Sequence, residues 1–434
     1  MARERNSERS MSDPRPLLSL EAALLRLRQG ADAHRITAQE TVVTFDALGR
    51  VLAQDVRSLL DVPPADNTSM DGYALRAADV AACGAVLPVT QRIPAGVVGQ
   101  PLRPGTAARI FTGGQVPPGA DAVVMQEQCD ALPAQAGAGP EGALGLGAVR
   151  VNTTVVAGQW VRRRGEDVQG GATVLSAGTR LTPQALGLAA SVGAAELPVL
   201  RRPRVALFST GDELVMPGQP LKPGAIYNSN RYTLRALLQA AGCVVQDLGI
   251  VPDQLAATRA ALRQAAQGND LIITSGGVSV GEEDHLKPAV QAEGELDLWQ
   301  VAMKPGKPLA FGHVRNASAS PALFIGLPGN PVSSFVTFLL AVAPVLRALQ
   351  GMPDREPPAV ALRADFDWPR PDRRREFLRV RVNGSGGLEL FANQSSGVLM
   401  STVWADGLLD NPPGQAIVRG DSVRFLALDS LVWR

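Results

Sequence analysis

The 434-residue sequence contains few of the residues that build disulfide frameworks or metal clusters. It has only three cysteines and three histidines. The cysteines are far apart and form no C-x-x-C pair, so we expect neither a disulfide framework nor a structural zinc site. Such sparse cysteine usage is typical of a reducing compartment and predicts a cytoplasmic protein. The residues concerned are Cys83, Cys129, Cys243, His34, His285 and His313.

The chain also lacks a net charge and a long apolar run. Lys plus Arg number 42 and Asp plus Glu 41, which gives a formal net charge of +1, and a bulk electrostatic nucleic-acid binder would carry a basic excess. The longest apolar run, 335–346, is shorter than the ~20 residues of a membrane-spanning helix. Residues 1–16 are charged and polar, so we expect a disordered tail and not a signal peptide. The sequence predicts a protein that binds neither nucleic acid nor membrane.

Turn-forming residues are abundant where aromatic residues are scarce. Aromatics make up only 4% of the chain, whereas there are 44 glycines and 33 prolines, well above the average of about 12% for these two residues together. This composition describes a folded protein rich in turns and loops. At ~150 residues per domain, the length predicts about three domains.

Residues 17–201 predict a β-rich N-terminal region divided into two lobes. An amphipathic helix is expected over 17–30, with Ser19 as its N-cap and Gly30 just past its end. Short β-rich runs separated by Pro and Gly follow from residue 41 onward. The stretch 132–147 is mostly Ala, Gly and Pro, and we expect a mobile surface loop there.

Residues 202–351 predict a central, doubly wound α/β domain. Buried parallel strands are expected at 204–210, 244–251, 270–277 and 322–326, because each is a short, largely apolar run. Helices are expected between and after them, the last over 331–350. Ligand sites in such sheets lie at the carboxyl ends of the strands. After Pro357 and Pro358, the short runs within 357–434 predict a small C-terminal β-barrel.

Several motifs fall at that predicted ligand edge. In 274–285, glycines and hydroxyls follow a strand and precede an acidic run, an arrangement suited to a phosphate and a divalent cation; a tight turn with an acidic first helical turn explains it equally well. The lysines of 303–312 flank a Pro-Gly turn and suit an oxyanion, although a solvated turn is the commoner explanation. The candidate residues are Ser275, Gly276, Gly277, Ser279, Gly281, Asp284, Lys304 and Lys307.

Two further motifs end strands of the same domain. In 326–334 the chain turns through Pro328 and Gly329, and Asn330 caps a helix that begins with Pro331. The exposed amides of that helix could bind an anion, but structural capping explains the Asn-Pro pair as well. In 209–214, Asp212 and Glu213 lie at the ligand edge, where an ordinary acidic loop is the alternative. None of these motifs supports a P-loop, a Rossmann G-x-G-x-x-G site or a Ser-His-Asp triad.

Taken together, the motifs resemble the molybdopterin molybdenumtransferase family, known as MoeA in bacteria and as the gephyrin E domain in animals. Any one of them is weak evidence, but eight occur in the family's order over roughly residues 17–350, and the segment after 358 matches more loosely. The matching stretches are DNTSMDGYAL, FTGGQVPPGADAVVMQEQ, RRRGEDV, ALFSTGDEL, IYNSNRY, SGGVSVGEEDH, KPGKPLAFG and LPGNPVSS.

The resemblance implies an enzyme of molybdenum cofactor biosynthesis. Family members use molybdate and adenylylated molybdopterin, insert molybdenum at the dithiolene and release AMP with Mg²⁺ assisting. They are homodimers whose site lies between the α/β domain of one subunit and the N-terminal region of the other, and other cofactor-biosynthesis proteins are further expected partners. Positions matching functional residues of the family are Asp66, Thr112, Asp167, Glu213, Asp253, Asp284, Lys304, Lys307 and, by a less secure alignment, Arg379 and Ser396.

The residue chemistry agrees with those implied roles. Lys304 and Lys307 could hold the molybdate dianion by charge-assisted hydrogen bonds. Carboxylates near a phosphate-bearing ligand require a cation between them, and we expect Mg²⁺ at Glu213, Asp253 and Asp284. A molybdopterin adenylyltransferase is the alternative enzyme, since that family resembles residues 204–350 alone. A non-enzymatic scaffold is the other alternative.

Overall fold

The computed structural model describes residues 17–133, 146–277, 285–317 and 320–433. The predicted disordered tail and most of the predicted loop at 132–147 lie outside these ranges. So do Ser279, Gly281 and Asp284.

The N-terminal region combines a first helix with several small sheets. α1 begins at an N-cap, Ser19, whose hydroxyl accepts from the amide of Ala22, as predicted. Contrary to the prediction, Gly30 lies inside α1, which continues to Ala33. A Cβ on Gly30 would lie 2.5 Å from Cζ of Phe311, so the glycine permits close packing and does not end the helix. The elements are α1 (Leu20–Ala33), β1 (Gln39–Val43), β2 (Val56–Arg57), β3 (Asn67–Thr68), β4 (Gly72–Leu75), β5 (Ala85–Ile93), β6 (Ala107–Ile110), β7 (Ala122–Met125), β8 (Cys129–Leu132), β9 (Ala148–Val151), β10 (Val161–Arg162), β11 (Thr173–Leu175), α2 (Pro183–Ser191) and β12 (Glu196–Leu200).

These strands pack around separate apolar cores. A six-stranded sheet has the order β7-β4-β6-β5-β9-β8, and two-stranded pairs join β1 with β12, β3 with β10, and β2 with β11. Buried residues of the six-stranded sheet form two apolar clusters. α2 and β12 contribute to a third cluster, which includes Leu197 and Val199. The region therefore has more than one apolar core.

The α/β region contains the predicted parallel strands. β13, β16, β17 and β21 are mutually parallel, and their bounds agree closely with the predicted runs. The sheet order is β16-β13-β17-β21-β20-β18, and its last two strands, which we did not predict, are antiparallel additions. The elements are β13 (Arg204–Thr210), β14 (Leu214–Val215), β15 (Ile226–Tyr227), α3 (Ser229–Ala240), β16 (Val244–Val251), α4 (Leu255–Ala266), β17 (Leu271–Ser275), α5 (Leu286–Glu293), β18 (Gly294–Gln300), β19 (Met303–Lys304), β20 (Pro308–Val314), β21 (Ala322–Leu327), α6 (Pro331–Thr337) and α7 (Ala343–Leu349).

Helices cover both faces of this sheet, so it is doubly wound. One face packs against α1, α3, α6 and α7, and the other against α4 and α5. Between α6 and α7, residues Phe338–Val342 form a π-helical turn. Pro344 follows this turn, and because proline has no N–H it cannot bond the carbonyl one turn back. Within the described residues, Pro331–Leu349 is the one helix long and apolar enough to cross a membrane. In its most apolar 18-residue stretch, 83% is buried in the fold, as in a core helix.

The C-terminal region is a β-sheet that includes a strand from the α/β region. Its order is β19-β23-β25-β26-β22, and β24 pairs with β23. Ala364, just after β22, forms a bridge with Leu388 of β24. Among the short runs within 357–434 that were expected to form strands, residues 416–419 form only a bridge, between Ile417 and Trp368. The elements are β22 (Val360–Arg363), β23 (Arg375–Val382), β24 (Leu388–Leu390), α8 (Met400–Trp404), β25 (Gly407–Asn411), β26 (Ser422–Ala427) and α9 (Leu428–Trp433).

Candidate functional site

The carboxyl ends of β13, β17 and β21 meet at one edge of the α/β sheet. Ser275 ends β17 and is buried, and its Oγ lies 3.1 Å from Oγ of Ser209 on β13. The amide of Gly276 donates to the carbonyl of Leu327 at the end of β21, at 3.1 Å. Hydrogen bonds therefore join the ends of the three strands just before the loops that follow them.

The turn after β17 requires glycine. Gly276 and Gly277 have φ angles of 90° and 67°, in the left-handed region that residues with a Cβ rarely adopt. A Cβ on Gly276 would also lie 2.8 Å from the carbonyl oxygen of Thr210. Bare backbone is thus presented at the sheet edge, where a ligand can approach it closely.

The 326–334 motif lies beside this turn. Pro328 is buried, whereas Gly329 and Asn330 are exposed. Asn330 is the N-cap residue of α6 and Pro331 its first residue, but the Asn330 side chain makes no capping hydrogen bond, contrary to the prediction. The loop is held instead by Asn230, whose Nδ2 donates to the carbonyl of Gly329 at 2.7 Å.

Glu213 and Asp253 follow β13 and β16 at the same edge. The amide of Asp253 donates to Oδ1 of Asp212 at 3.3 Å, which links the two loops. Within the described ranges, the carboxylates of Glu213 and Asp253 accept no hydrogen bond and form no ion pair. Glu213 also lines an open cleft of about 780 Å³, together with Asp212, Lys222 and the prolines Pro220 and Pro223.

The donor set suits a hard divalent cation. Mg²⁺ usually keeps several waters and takes one or two protein carboxylates, which matches two partly exposed carboxylates that are not neutralised by the protein. Across the described ranges, no group of three or more His, Cys, Asp or Glu residues has the arrangement of a metal site. The third predicted ligand, Asp284, lies outside those ranges.

Lys304 and Lys307 flank the turn between β19 and β20. Lys304 lies opposite Glu376 in the parallel pairing of β19 with β23. Its Nζ is 3.2 Å from Oε1 of Glu376 and 3.5 Å from Oδ2 of Asp372. Lys307 is exposed, and its carbonyl accepts from the amide of Val301 at 2.7 Å. The two lysines therefore differ, because among the described residues carboxylates lie against the ammonium of Lys304 and not against that of Lys307.

Arg379 and Ser396 lie where the C-terminal sheet meets α6. The carbonyl of Ser396 accepts from the amide of Val332, in the first turn of α6, at 3.0 Å. Arg379 is 1% exposed, and its guanidinium donates to neutral oxygens of Ser395, Ser401 and Phe377 at 3.2–3.3 Å. Burial lowers the pKa of Arg379 to about 10, so the group stays a cation at neutral pH.

Asp66, Thr112 and Asp167 come together in the N-terminal region. β3 pairs with β10, and the loops around 66, 112 and 167 are joined by backbone bonds such as the Gly113 amide to the Thr68 carbonyl at 2.9 Å. The amide and hydroxyl of Thr112 both donate to Oδ1 of Asp71, at 2.8 and 2.7 Å. Asp167 is exposed, and its amide donates to the carbonyl of Val62 at 3.0 Å.

The carboxylate of Asp66 accepts hydrogen bonds from two basic residues. It accepts from Nη1 of Arg163 at 2.7 Å and from the amide of Arg164 at 2.8 Å. Burial works to raise the pKa of Asp66, but these two contacts outweigh it and hold the pKa below its ordinary value. In the same way, the Thr112 amide and hydroxyl lower the pKa of Asp71. Both carboxylates are anionic and already partnered at neutral pH.

The predicted residues that the structure describes thus lie in three places. Glu213, Asp253, the Ser275–Gly277 turn and the 328–330 loop share the α/β sheet edge, and Asp66, Thr112 and Asp167 share the N-terminal surface. Lys304 and Lys307 flank the β19–β20 turn, while Arg379 and Ser396 lie in the C-terminal region. In the part of the chain that the structure describes, no hydrogen bond or ion pair joins the N-terminal group to the sheet-edge group. Asp71, Asp372 and Glu376 were not predicted as site residues, and of these only Asp71 stands inside a recognised motif.

Known proteins match the whole chain. Three family models cover it in order: the MoeA N-terminal region (domain I and II) over residues 18–193, a probable molybdopterin binding domain over 206–348, and the MoeA C-terminal region (domain IV) over 361–428. The chain is 40% identical to a Haemophilus influenzae molybdopterin molybdenumtransferase over 358 residues, which is 82% of this chain and 84% of that protein.

Other relatives extend the match. A Mycobacterium tuberculosis protein named molybdopterin molybdenumtransferase 2 is 39% identical over 88% of this chain and 93% of its own length. The crystal structure of a molybdopterin biosynthesis MoeA protein from Pyrococcus horikoshii aligns with a TM-score of 0.78 at 28% identity, covering 95% of this chain and all of that one. The fold and site therefore define a three-region enzyme class of molybdenum cofactor biosynthesis. The chain belongs to the MoeA family of that class.

Proposed function

We propose that this protein inserts molybdenum from molybdate into adenylylated molybdopterin, with Mg²⁺ required and AMP released. The observation that carries the proposal is the shared sheet edge. The carboxylates of Glu213 and Asp253 have no protein partner among the described residues, and they follow β13 and β16 at the sheet edge where the bare glycine turn at Gly276 and Gly277 follows β17. This combination provides a place for a cation and a place for a phosphate-bearing ligand at the same edge.

Each group of residues has a distinct task in this proposal. The backbone of the glycine turn and the hydroxyl of Ser275 hold the phosphate or pterin end of the ligand, together with Pro328, Gly329 and Asn330. Ser279 and Gly281, which lie outside the described residues, are expected to bind the same end. Lys304 and Lys307 bind molybdate by charge-assisted hydrogen bonds. Arg379 and Ser396, from the C-terminal region, bind molybdate as well.

Mg²⁺ would be held by Glu213 and Asp253, with Asp284 as a third ligand. When bound, the ion would polarise the phosphoryl group whose cleavage releases AMP. The protein's own contribution is to keep both carboxylates fixed at the strand ends and to orient the phosphate against the glycine turn. Because the carboxylates would otherwise repel that phosphate, we expect substrate binding to depend on the cation.

A homodimer is part of the proposal. Asp66, Thr112 and Asp167 make no bond to the α/β group within one chain, over the ranges that the structure describes. We infer that these residues complete the site of the partner subunit, where Arg163 and Arg164 would face the same anionic ligand. The other expectations are a closed C-terminal β-barrel, a cytoplasmic location and contacts with other cofactor-biosynthesis proteins.

A molybdopterin adenylyltransferase remains the second candidate, because residues 204–350 resemble that family. The match of the outer regions to MoeA models favours the molybdenumtransferase. A scaffold without activity is the third candidate, and it would leave Glu213 and Asp253, which have no partner among the described residues, without a role.

Reconstitution with purified components tests the proposal. The protein, adenylylated molybdopterin, Mg²⁺ and molybdate should yield AMP and a molybdenum-loaded cofactor, with no product when molybdate or Mg²⁺ is omitted. A parallel incubation with ATP and molybdopterin should give no pyrophosphate. Pyrophosphate release without AMP production in the first reaction would instead identify the adenylyltransferase.

A further inference from the structure

A fully buried carboxylate lies behind Lys304. Glu376, on β23, is 0% exposed. Its Oε1 accepts from Nζ of Lys304 at 3.2 Å, while Oε2 accepts from Nε1 of Trp368 at 2.8 Å and from Nδ2 of Asn411 at 3.4 Å. Every partner of this carboxylate is a donor, and Lys304 is its only cationic partner within the described ranges.

Lys304 is anchored on one side and open on the other. Its side chain is 40% exposed, although the Glu376 side chain against it is not exposed at all. Asp372 adds a second carboxylate 3.5 Å from Nζ. Arg374 orients Asp372 through Nε and Nη2, at 3.0 and 2.8 Å, and holds the pKa of Asp372 well below its usual range. The ammonium has three N–H groups, so donors remain for a ligand on the exposed side.

The arrangement explains why a carboxylate is buried there. A lysine ammonium on a flexible four-carbon stem loses rotamer entropy when it is fixed. Contact with Glu376 fixes the ammonium before a ligand arrives, and the bonds to Trp368 and Asn411 fix Glu376 in turn. Sites held by such supporting contacts bind with less loss of entropy.

We propose that Glu376, assisted by Asp372, is a positioning residue that holds the Lys304 ammonium ready for the molybdate oxyanion. Through Glu376, the C-terminal sheet contributes to oxyanion affinity by way of a residue that does not itself touch the ligand. This inference rests on the proposed role of Lys304. It distinguishes Lys304 from Lys307, which is exposed and has no such partner among the residues described.

The neighbouring strand provides a matched control. Asp410 on β25 is also a buried carboxylate, but it pairs with Arg375 at 2.6 and 2.7 Å and with Arg424 at 3.2 Å. Its register partner is Phe377, whereas that of Glu376 is Asn411. Asp410→Asn therefore perturbs the same sheet to a similar extent while leaving the Lys304 contacts in place.

The test measures AMP release against molybdate concentration for full-length variants, with melting curves for each. In Glu376→Gln one carboxylate oxygen is replaced by an NH2 donor, which cannot accept from Lys304 or from the Trp368 indole. The substitution should therefore raise the KM for molybdate roughly tenfold, within the range of coupling between contacting residues. We expect kcat at saturating molybdate to stay within about twofold. Asp410→Asn should leave the KM unchanged even if it lowers the melting temperature.

Lys304→Met provides the double-mutant cycle. If Glu376 acts through Lys304, Lys304→Met/Glu376→Gln should have the same molybdate KM as Lys304→Met alone. Additive effects, or an unchanged KM in Glu376→Gln, would overturn the inference while leaving the role of Lys304 intact. A normal molybdate KM in Lys304→Met would instead refute the proposed role of Lys304 itself.

Asp372→Asn keeps the test decisive if Glu376→Gln does not fold. Asp372 is nearer the surface, and its loss removes the second carboxylate beside Nζ. A smaller rise in the molybdate KM, about two- to threefold, is expected and should vanish in the Lys304→Met background. An unchanged KM in folded Asp372→Asn, or a rise that persists without Lys304, would contradict the proposal.

Discussion

The carboxylates of the N-terminal surface and those of the α/β sheet edge are in different states. Asp66 and Asp71 accept two hydrogen bonds each, from Arg163 and the Arg164 amide in one case and from Thr112 in the other. The carboxylates of Glu213 and Asp253 accept none from the described residues. The carboxylates of Asp66 and Asp71 are therefore engaged in hydrogen bonds within the N-terminal region, whereas those of Glu213 and Asp253 remain available to a ligand.

This difference separates two roles that the sequence cannot distinguish. Asp66, Asp71 and Glu213 lie in motifs shared with one family, Asp253 stands at a position that matches it, and all four are exposed or half-buried acids. A carboxylate already neutralised by a guanidinium is a poor choice for a cation, because binding would compete with the existing pair. We therefore propose that the sheet edge binds the cation and that Asp66 orients the 162–168 loop.

The largest effect should come from the sheet edge. Asp253→Asn and Glu213→Gln remove charge from the proposed Mg²⁺ site and should lower the rate of AMP release about 100-fold or more at limiting Mg²⁺, since even supporting residues of metal sites change affinity 10- to 100-fold. Neither change should alter the melting temperature, because no described contact is lost. The measurement is AMP release across an Mg²⁺ titration.

Asp297→Asn is the control for that experiment. Asp297 is an exposed acid on β18, in the same sheet but away from the edge that carries Glu213 and Asp253. It should retain the normal Mg²⁺ requirement. Sheet-edge variants that behave like Asp297→Asn would remove the basis for the comparison between the two regions.

The strands beneath this edge were predictable, and the antiparallel additions were not. Buried parallel strands are continuous apolar runs, which is why 204–210 matched β13 residue for residue. The bounds 244–251 also matched β16, although this edge strand contains Gln246 and Asp247 and is mostly half-buried. β18 (GELDLWQ) alternates acidic and apolar residues, and β20 (PLAFGHV) contains proline, glycine and histidine. Gly30 looked like a helix terminus because its packing against Phe311 depends on tertiary structure. Local patterns carry no information about such contacts.

The candidate site shows the same limit. Motifs identified Lys304, but nothing near it in sequence indicates Glu376, which is 72 residues away. Their contact exists because β19 leaves the α/β region to pair with β23. Glu376 itself stands in a run of alternating charged and apolar residues, where an acid is ordinarily assigned to a solvated face.

A moderate effect is expected from the N-terminal surface. Asp66→Asn keeps the shape of the side chain but removes the charge that holds Arg163, and should reduce the free energy of unfolding by up to about 1 kcal/mol, the usual limit for a partly exposed ion pair. AMP release should fall less than in Asp253→Asn. Chemical denaturation and steady-state rates check both parts. An activity loss as large as that of Asp253→Asn in a variant of undiminished stability would show that Asp66 contacts the ligand directly.

The smallest effect is the pH dependence of that stability difference. Since the pKa of Asp66 is lower in the folded chain than its unfolded value of about 3.9, its contribution is fully present above that value and is lost as the pH falls through the folded pKa. The difference in unfolding free energy between the wild type and Asp66→Asn should therefore be constant from pH 7 to about pH 5 and shrink below about pH 4. Asp71→Asn should follow the same direction, because Thr112 lowers the pKa of Asp71. A difference that persists unchanged into strong acid would mean that the Asp66 charge does not stabilise the lobe, and the contrast with the sheet edge would then rest on Glu213 and Asp253 alone.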